Sequence, residues 1–254
     1  MYALKLELKL NNKERTFLAQ CAGYSRFVYN YALAFYNQID HQEIKGSTSK
    51  KLDGIKYVFN NYTKKEPDYQ WCNNYSSRIY QNAFIHLKNA FTRFHKGLGG
   101  YPKFKRKKND CSFTVDSSNG KVFLTEGKKI KIPTLGTFRL KEKLKYSCVS
   151  QTFTISRKGD KWYVAFAIEA EKIPPICHEI WEPVGVDLGV KTYATLSDGT
   201  RIENPKPYRT AKTKLGLFQY RNRHKQLGNR KKGVKTSNNA KKYYRKLAKK
   251  HYYD

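Results

Sequence analysis

At 254 residues the chain is long enough for about one to three domains, and its formal charge of +31 would repel itself in a compact monomer unless a polyanion neutralised it. An aromatic content of 15%, mostly tyrosine, suits phosphate neutralisation combined with base stacking. An anionic membrane is the competing polyanion, disfavoured because no apolar run approaches ~18 residues and no signal-peptide core is present.

Cys21, Cys72, Cys111, Cys148 and Cys177 are odd in number and form no Cys-x-x-Cys pair, so neither a zinc ribbon nor a disulfide framework is indicated. A reducing, cytoplasmic setting, nucleoid-associated in a bacterium, is the simplest reading.

Residues 2–10 alternate, with Tyr2, Leu4, Leu6, Leu8 and Leu10 on one face and Ala3, Lys5, Glu7 and Lys9 on the other. That is the pattern of a half-buried antiparallel strand. Asn11 and Glu14 then offer a capping box. Phe17, Leu18, Cys21, Tyr24, Val28, Tyr31 and Phe35 recur every three or four residues, so a helix follows the strand directly. Residues 40–73 are polar and ambiguous, with a weak helix expected over Lys51–Tyr62. A second strong helix opens at Asn74-Tyr75-Ser76 and stops at Gly97-Leu98-Gly99-Gly100. Its expected apolar stripe is Ile79, Ala83, Leu87, Ala90 and Phe94, bordered by His86. Arg78, Gln81, Asn82, Lys88, Asn89 and Thr92 lie opposite and read first as a solvated face.

Tyr101-Pro102-Lys103-Phe104-Lys105-Arg106-Lys107-Lys108 interleaves aromatics with cations, as suits a loop or edge strand laid along a phosphate backbone. Strands are expected at Ser112–Val115, Lys121–Leu124, Lys129–Ile132, Gly136–Leu140, Ser150–Ser156 and Trp162–Ala170. Such spacing makes a small barrel or sandwich. The first strand would find its partners there, which makes residues 12–98 a helical insertion into a β-barrel. Ile173-Pro174-Pro175-Ile176 reads as a stiff linker, with a domain boundary near 173–183.

Beyond it, Asp198-Gly199 is a tight-hairpin signal. The apolar run Val184 to Val190 holds one carboxylate, Asp187, at its centre. A charge in a strand buried on both faces is costly unless paired or metal-bound; by pattern alone Asp187 is equally a structural residue in a turn. Residues 205–254 contain 17 Lys/Arg against one acid, Asp254. Two helices are expected there, about Tyr208–Leu227 and Ser237–His251. The second reaches Tyr252-Tyr253-Asp254 with no Gly or Pro stop, as if the chain were cut off.

Strand, helical insertion, the Gly100-Tyr101-Pro102-Lys103-Phe104-Lys105 block, Lys131-Ile132-Pro133-Thr134-Leu135-Gly136, and Val186-Asp187-Leu188-Gly189-Val190-Lys191 follow in that order. This order resembles TnpB (OrfB), the RNA-guided DNA nucleases of insertion sequences, related to type V CRISPR effectors. The resemblance implies an α+β multidomain chain. A wedge β-barrel (1–11 and 99–175) would carry an inserted helical recognition lobe (12–98), followed by the start of an RNase H-like RuvC domain (183–254).

It further implies a guide RNA, a target DNA carrying a short motif beside the target, and a RuvC site in which three carboxylates hold two Mg²⁺. Asp187 matches the first carboxylate, with Gly185 and Gly189 leaving room for substrate backbone. The other two carboxylates and a zinc element would lie beyond residue 254, in a missing C-terminal segment or a second chain. The 254 residues alone are therefore expected not to cut. A guided DNA-binding protein without catalysis, repressor-like, is the alternative, and a plain RNA-binding protein with a decayed nuclease strand is a third class.

Lys103, Lys105, Arg106 and Lys107 are the first phosphate candidates, with Tyr101 and Phe104 as stacking partners. Under the resemblance, Arg78, Gln81 and Asn82 become candidates for the DNA surface, since the two amides could pair bidentately with adenine. Arg230, Lys231 and Lys232 are further phosphate candidates.

Overall fold

The computed structural model describes residues 2–39, 46–107, 111–117, 123–144, 148–168, 183–229 and 232–253. The chain divides into two compact units, Met1–Ile173 and Pro174–Asp254.

In the first unit, strand β1 (Tyr2–Lys9) leads straight into helix α1 (Asn12–Gln38). The capping box forms as the sequence signals: Asn11 Oδ1 accepts from the Glu14 amide at 2.8 Å, and the Asn11 amide donates to Glu14 Oε2 at 2.8 Å. Helix α2 (Thr48–Asn61), capped by Ser47, buries Leu52, Ile55 and Phe59. Two 3₁₀ runs, Thr63–Lys65 and Pro67–Asn74, then lead into helix α3 (Ser77–His95). The buried line of α3 is Ile79, Ala83, Leu87 and Phe91, each four residues on, together with Tyr80 and Phe84. The expected stripe veers off this line at its end: Ala90 is only half-buried and Phe94 is 37% exposed, set edge-on against Tyr101 with ring centroids 5.3 Å apart.

Strands β2 (Cys111–Asp116), β3 (Phe123–Glu126), β4 (Lys129–Ile132), β5 (Gly136–Leu140), β6 (Cys148–Ser150), β7 (Thr152–Lys158) and β8 (Lys161–Ile168) join β1 in one antiparallel sheet, ordered β2-β7-β8-β1-β5-β4-β3-β6. The expected single strand over 150–156 is divided at Gln151. β6 pairs with β3, and β7 pairs with β2 and β8. β1 joins the two halves of the sheet: Tyr2 through Glu7 pair with β8, and Leu8 and Lys9 pair with β5.

The sheet does not close into a barrel. β2 and β6 remain the two ends of the ladder among the described residues, and α3 and α1 pack against β2. One hydrophobic cluster runs through both layers, from Leu6, Leu8, Val164 and Phe166 of the sheet to Leu18, Val28, Phe59 and Leu87 of the helices. Each such side chain contributes about 1.5–3 kcal/mol on burial, so the helices and the sheet share one core.

The second unit has a three-stranded antiparallel sheet, β9 (Val186–Leu188), β10 (Thr192–Leu196) and β11 (Arg201–Glu203), ordered β11-β10-β9, then helices α4 (Pro207–Arg221) and α5 (Asn238–Tyr253). The Asp-Gly signal marks the β10–β11 turn. Gly199 takes φ +84°, and the Asp198 carboxylate accepts from the Thr200 amide at 2.8 Å, which holds its pKa below the ordinary carboxylate value. The Pro174-Pro175 linker, the Ser118–Gly120 turn and Lys108 lie outside the described residues. Among the described residues no helix is long and apolar enough to cross a membrane.

Candidate nucleic-acid interface

The basic-aromatic block is a loop fixed to α1 by side chains that the sequence does not advertise. Asn30 Nδ2 donates to the Lys105 carbonyl at 2.9 Å, and the Lys105 amide donates to Asn30 Oδ1 at 2.8 Å. One amide side chain thus satisfies both backbone groups of Lys105, as a neighbouring strand would. Two turns on, Asn37 Oδ1 accepts from Tyr101 Oη at 2.7 Å. The Tyr101 ring sits edge-on to Phe91 and Phe94, and Pro102 is buried.

Lys105 stays with the protein: its ammonium lies 4.1 Å from the centroid of the Tyr29 ring, and burial there lowers its pKa below the ordinary lysine value. Much of the rest of the residue is exposed. Of the block's described side chains, Lys103, Phe104, Arg106 and Lys107 face solvent beside a groove of about 830 Å³ to which Arg26 also contributes. Phe104 is 53% exposed and is the aromatic presented for stacking; Tyr101 is bound into the attachment.

Arg78, Gln81 and Asn82 come together in the first two turns of α3, and a fourth residue joins them. Asn82 is 8% exposed, and its amide nitrogen donates to the Arg78 carbonyl at 2.9 Å and to Asp116 Oδ1, at the end of β2, at 2.6 Å. Both of its donors are therefore used within the protein. A bidentate adenine contact would require one to be given up. The Arg78 guanidinium donates to Gln81 Oε1 and lies 3.8 Å from Asp116 Oδ2.

Thr134, in the β4–β5 turn, has φ +62° and donates to Ser76 Oγ, the N-cap of α3, at 2.7 Å. A β-branched residue in the left-handed region is strained; here it ties the sheet to the helix start. One turn further along α3, His86 Nε2 lies 3.1 Å from Thr114 Oγ1, which lies 3.1 Å from Thr154 Oγ1. Burial, and secondarily the nearby Lys105 charge, lower the His86 pKa.

In the second unit Asp187 pairs with Thr195 at the centre of β9, and β9 is exposed along its length, Leu188 by 72%. This differs from the expected doubly buried strand, because β9 is an edge that pairs with β10 alone among the described residues. The glycines beside it serve the hairpin. A Cβ at Gly189 would come 2.8 Å from the Thr192 carbonyl oxygen, and one at Gly185 would touch Ser197 at 3.5 Å. Among the described residues no three His, Cys, Asp or Glu side chains are grouped so as to hold a metal ion. Asp187 is a lone carboxylate there, and these residues do not by themselves fit a two-Mg²⁺ centre.

α4 and α5 meet through Phe218 and Tyr243, centroids 5.4 Å apart, with the Lys250 ammonium 5.7 Å from the Phe218 ring. Lys232 is exposed in the turn between them, whereas Arg230 and Lys231 lie outside the described residues.

The profile of the helix-turn-helix domain of OrfB proteins of the IS605 type matches residues 1–45, the stretch that forms β1 and α1. InsQ of Escherichia coli (strain K12), named as a candidate RNA-guided DNA endonuclease, is 28% identical over 257 residues, which cover 99% of this chain and 59% of InsQ. A protein of Streptomyces pristinaespiralis with the same kind of name is 28% identical over 261 residues, covering 98% of this chain and 59% of its own length.

Over nearly its whole length the chain is similar to proteins named as RNA-guided DNA endonucleases.

It spans about three fifths of the length of the curated relatives it matches. Neither Asp116 nor Thr134 stood out in its sequence, because each acts through a partner distant along the chain. Asn30 and Asn37 lie seven residues apart on one face of α1, but nothing near them in the sequence announces the loop they hold.

Proposed function

We propose that this chain holds a guide RNA and, through it, a matched DNA target, with the loop at residues 101–107 as a principal phosphate-binding element. The observation that carries this reading is the loop itself. Lys103, Arg106 and Lys107 project from a loop whose backbone Asn30 clamps and whose Tyr101 hydroxyl Asn37 holds, beside Phe104, in a chain of charge +31. Fixed cations lose less entropy on meeting phosphates than flexible ones. The similarity to proteins named for RNA-guided DNA cleavage selects nucleic acid as the polyanion.

Arg78 and Gln81 lie beside the strained Thr134 junction, on the surface best supported for reading a DNA motif. Asn82 holds that surface in place through Asp116. Asp187 offers one carboxylate to a Mg²⁺-bearing RuvC site, which needs further carboxylates than the described residues bring together. Cleavage is accordingly proposed only for a protein in which those are supplied. The test is the salt dependence of binding to the RNA that co-purifies with the chain. Replacing Lys103, Arg106 or Lys107 singly by Gln should reduce the slope of log K against log salt by about 0.7–0.9. Unchanged slopes in all three variants would reject the loop as the phosphate site.

A further inference from the structure

The helical insertion carries a second groove, on a different face of α1 from the Asn37 that holds the basic loop. Phe35 and Ile39 from the end of α1, and Gly54, Ile55 and Val58 from α2, enclose about 470 Å³ of open, mostly apolar space. Tyr57 stands at its margin, 61% exposed and edge-on to Tyr62 with ring centroids 6.2 Å apart. Lys50 and Lys51 complete the rim, whereas the nearest acid on the helix, Asp53, is bound by the Lys88 ammonium at 2.7 Å.

Gly54 is the informative residue. It sits inside α2, where glycine weakens a helix relative to alanine. Its φ is not in the left-handed region, and a Cβ there would meet nothing within 4 Å. Among the described residues nothing in the fold calls for glycine there. A bare stretch of helix backbone at the floor of a groove is what a flat partner needs to approach closely.

We propose that this groove receives an unpaired nucleobase, stacked against Tyr57 and Phe35 over the Gly54 floor, with a flanking phosphate on Lys50. The partner is identified by charge and shape. A second copy of a +31 chain would bring like charge to a lysine rim, whereas a single-stranded nucleic acid supplies a flat apolar face between two anions. The proposal rests on the nucleic-acid reading above but concerns a different surface.

The test measures binding of a 20-nucleotide oligoadenylate and of a 20-base-pair RNA duplex to the full chain and to Tyr57→Ala, Gly54→Leu, Gly54→Ala and Lys103→Gln. Tyr57→Ala should weaken the single strand about 5- to 150-fold, the range of one stacked base, and leave duplex binding unchanged. Gly54→Leu should do the same by filling the floor. Gly54→Ala should raise the melting temperature while weakening the single strand, so that lost binding cannot be ascribed to lost folding. If Lys103→Gln weakens binding while the Tyr57 and Gly54 variants bind both probes like the parent, the groove proposal is overturned and the loop reading stands. A parent that binds neither probe overturns both. Self-association of the parent that Gly54→Leu abolishes would assign the groove to a second copy instead.

Discussion

Removing the Asn30 side chain separates holding the basic loop from touching the ligand. In Asn30→Ala the Lys105 amide and carbonyl lose partners at 2.8 and 2.9 Å. Each such bond contributes about 0.5–1.5 kcal/mol net. Both are solvent-exposed, so the lower half of that range applies and the pair holds the loop by about 1–2 kcal/mol. The Lys105–Tyr29 contact, worth about 0.5–1 kcal/mol at an exposed site, and the Tyr101–Asn37 bond remain. The loop should loosen without detaching.

If the loop must be ordered to bind RNA, that energy is then withdrawn from binding, and affinity should fall roughly 5- to 30-fold. The number of phosphates neutralised is unchanged, so the salt slope should stay at the parent value. In Lys103→Gln, by contrast, the slope itself should drop. Fluorescence anisotropy over a salt series reads both quantities, and hydrogen exchange at the Lys105 amide reports the loosening. Parent-like affinity with an unprotected Lys105 amide would refute the argument that loop order matters; a reduced slope would show that the loosened loop has lost phosphate contacts of its cations.

Asp116→Ala strips Asn82 of one acceptor and Arg78 of its nearby carboxylate, and should cost about 1–3 kcal/mol in urea denaturation. A parent-like midpoint would show that the network contributes no stability. His86 has a folded-state pKa below its ordinary 6.5, so the unfolded chain takes up the proton first. Its contribution is fully present above that value, declines as pH falls through it and levels off below the folded value; urea midpoints between about pH 7 and 5 should fall less in His86→Gln than in the parent. Gly189→Ala places a Cβ 2.8 Å from the Thr192 oxygen, so it should destabilise the β9–β10 hairpin by about 1–3 kcal/mol and speed hydrogen exchange at the Ser197 amide, which donates to the Gly185 carbonyl.

Local rules carried far in this sequence where both partners lie a few residues apart. The alternation at 2–10, the Asn11/Glu14 box and the Asp198-Gly199 turn each appear as read, because one turn of chain contains the whole interaction. Tertiary contacts decided the rest. The sheet expected to close into a barrel stays open, and helix α3 bonds to β2 through residues some 30 positions apart in the chain. Asn82 looked like part of a solvated face because nothing near it in sequence announces Asp116. Lys105 looked like its neighbours until Tyr29, 76 residues earlier, claimed its ammonium. Val186 and Leu188 read as core, yet they are exposed on an edge strand paired on one side. Hydrophobic pattern reports what a strand can bury and does not name its cover.

Guided retention of DNA tests the central claim most directly. The RNA that co-purifies with the chain would be sequenced, and a duplex carrying its complement compared with a scrambled duplex in a gel-shift assay, before and after ribonuclease treatment. The account predicts retention of the matched duplex by the RNA-bearing protein and loss of that preference once the RNA is digested. Equal retention of matched and scrambled DNA, with or without RNA, would contradict it.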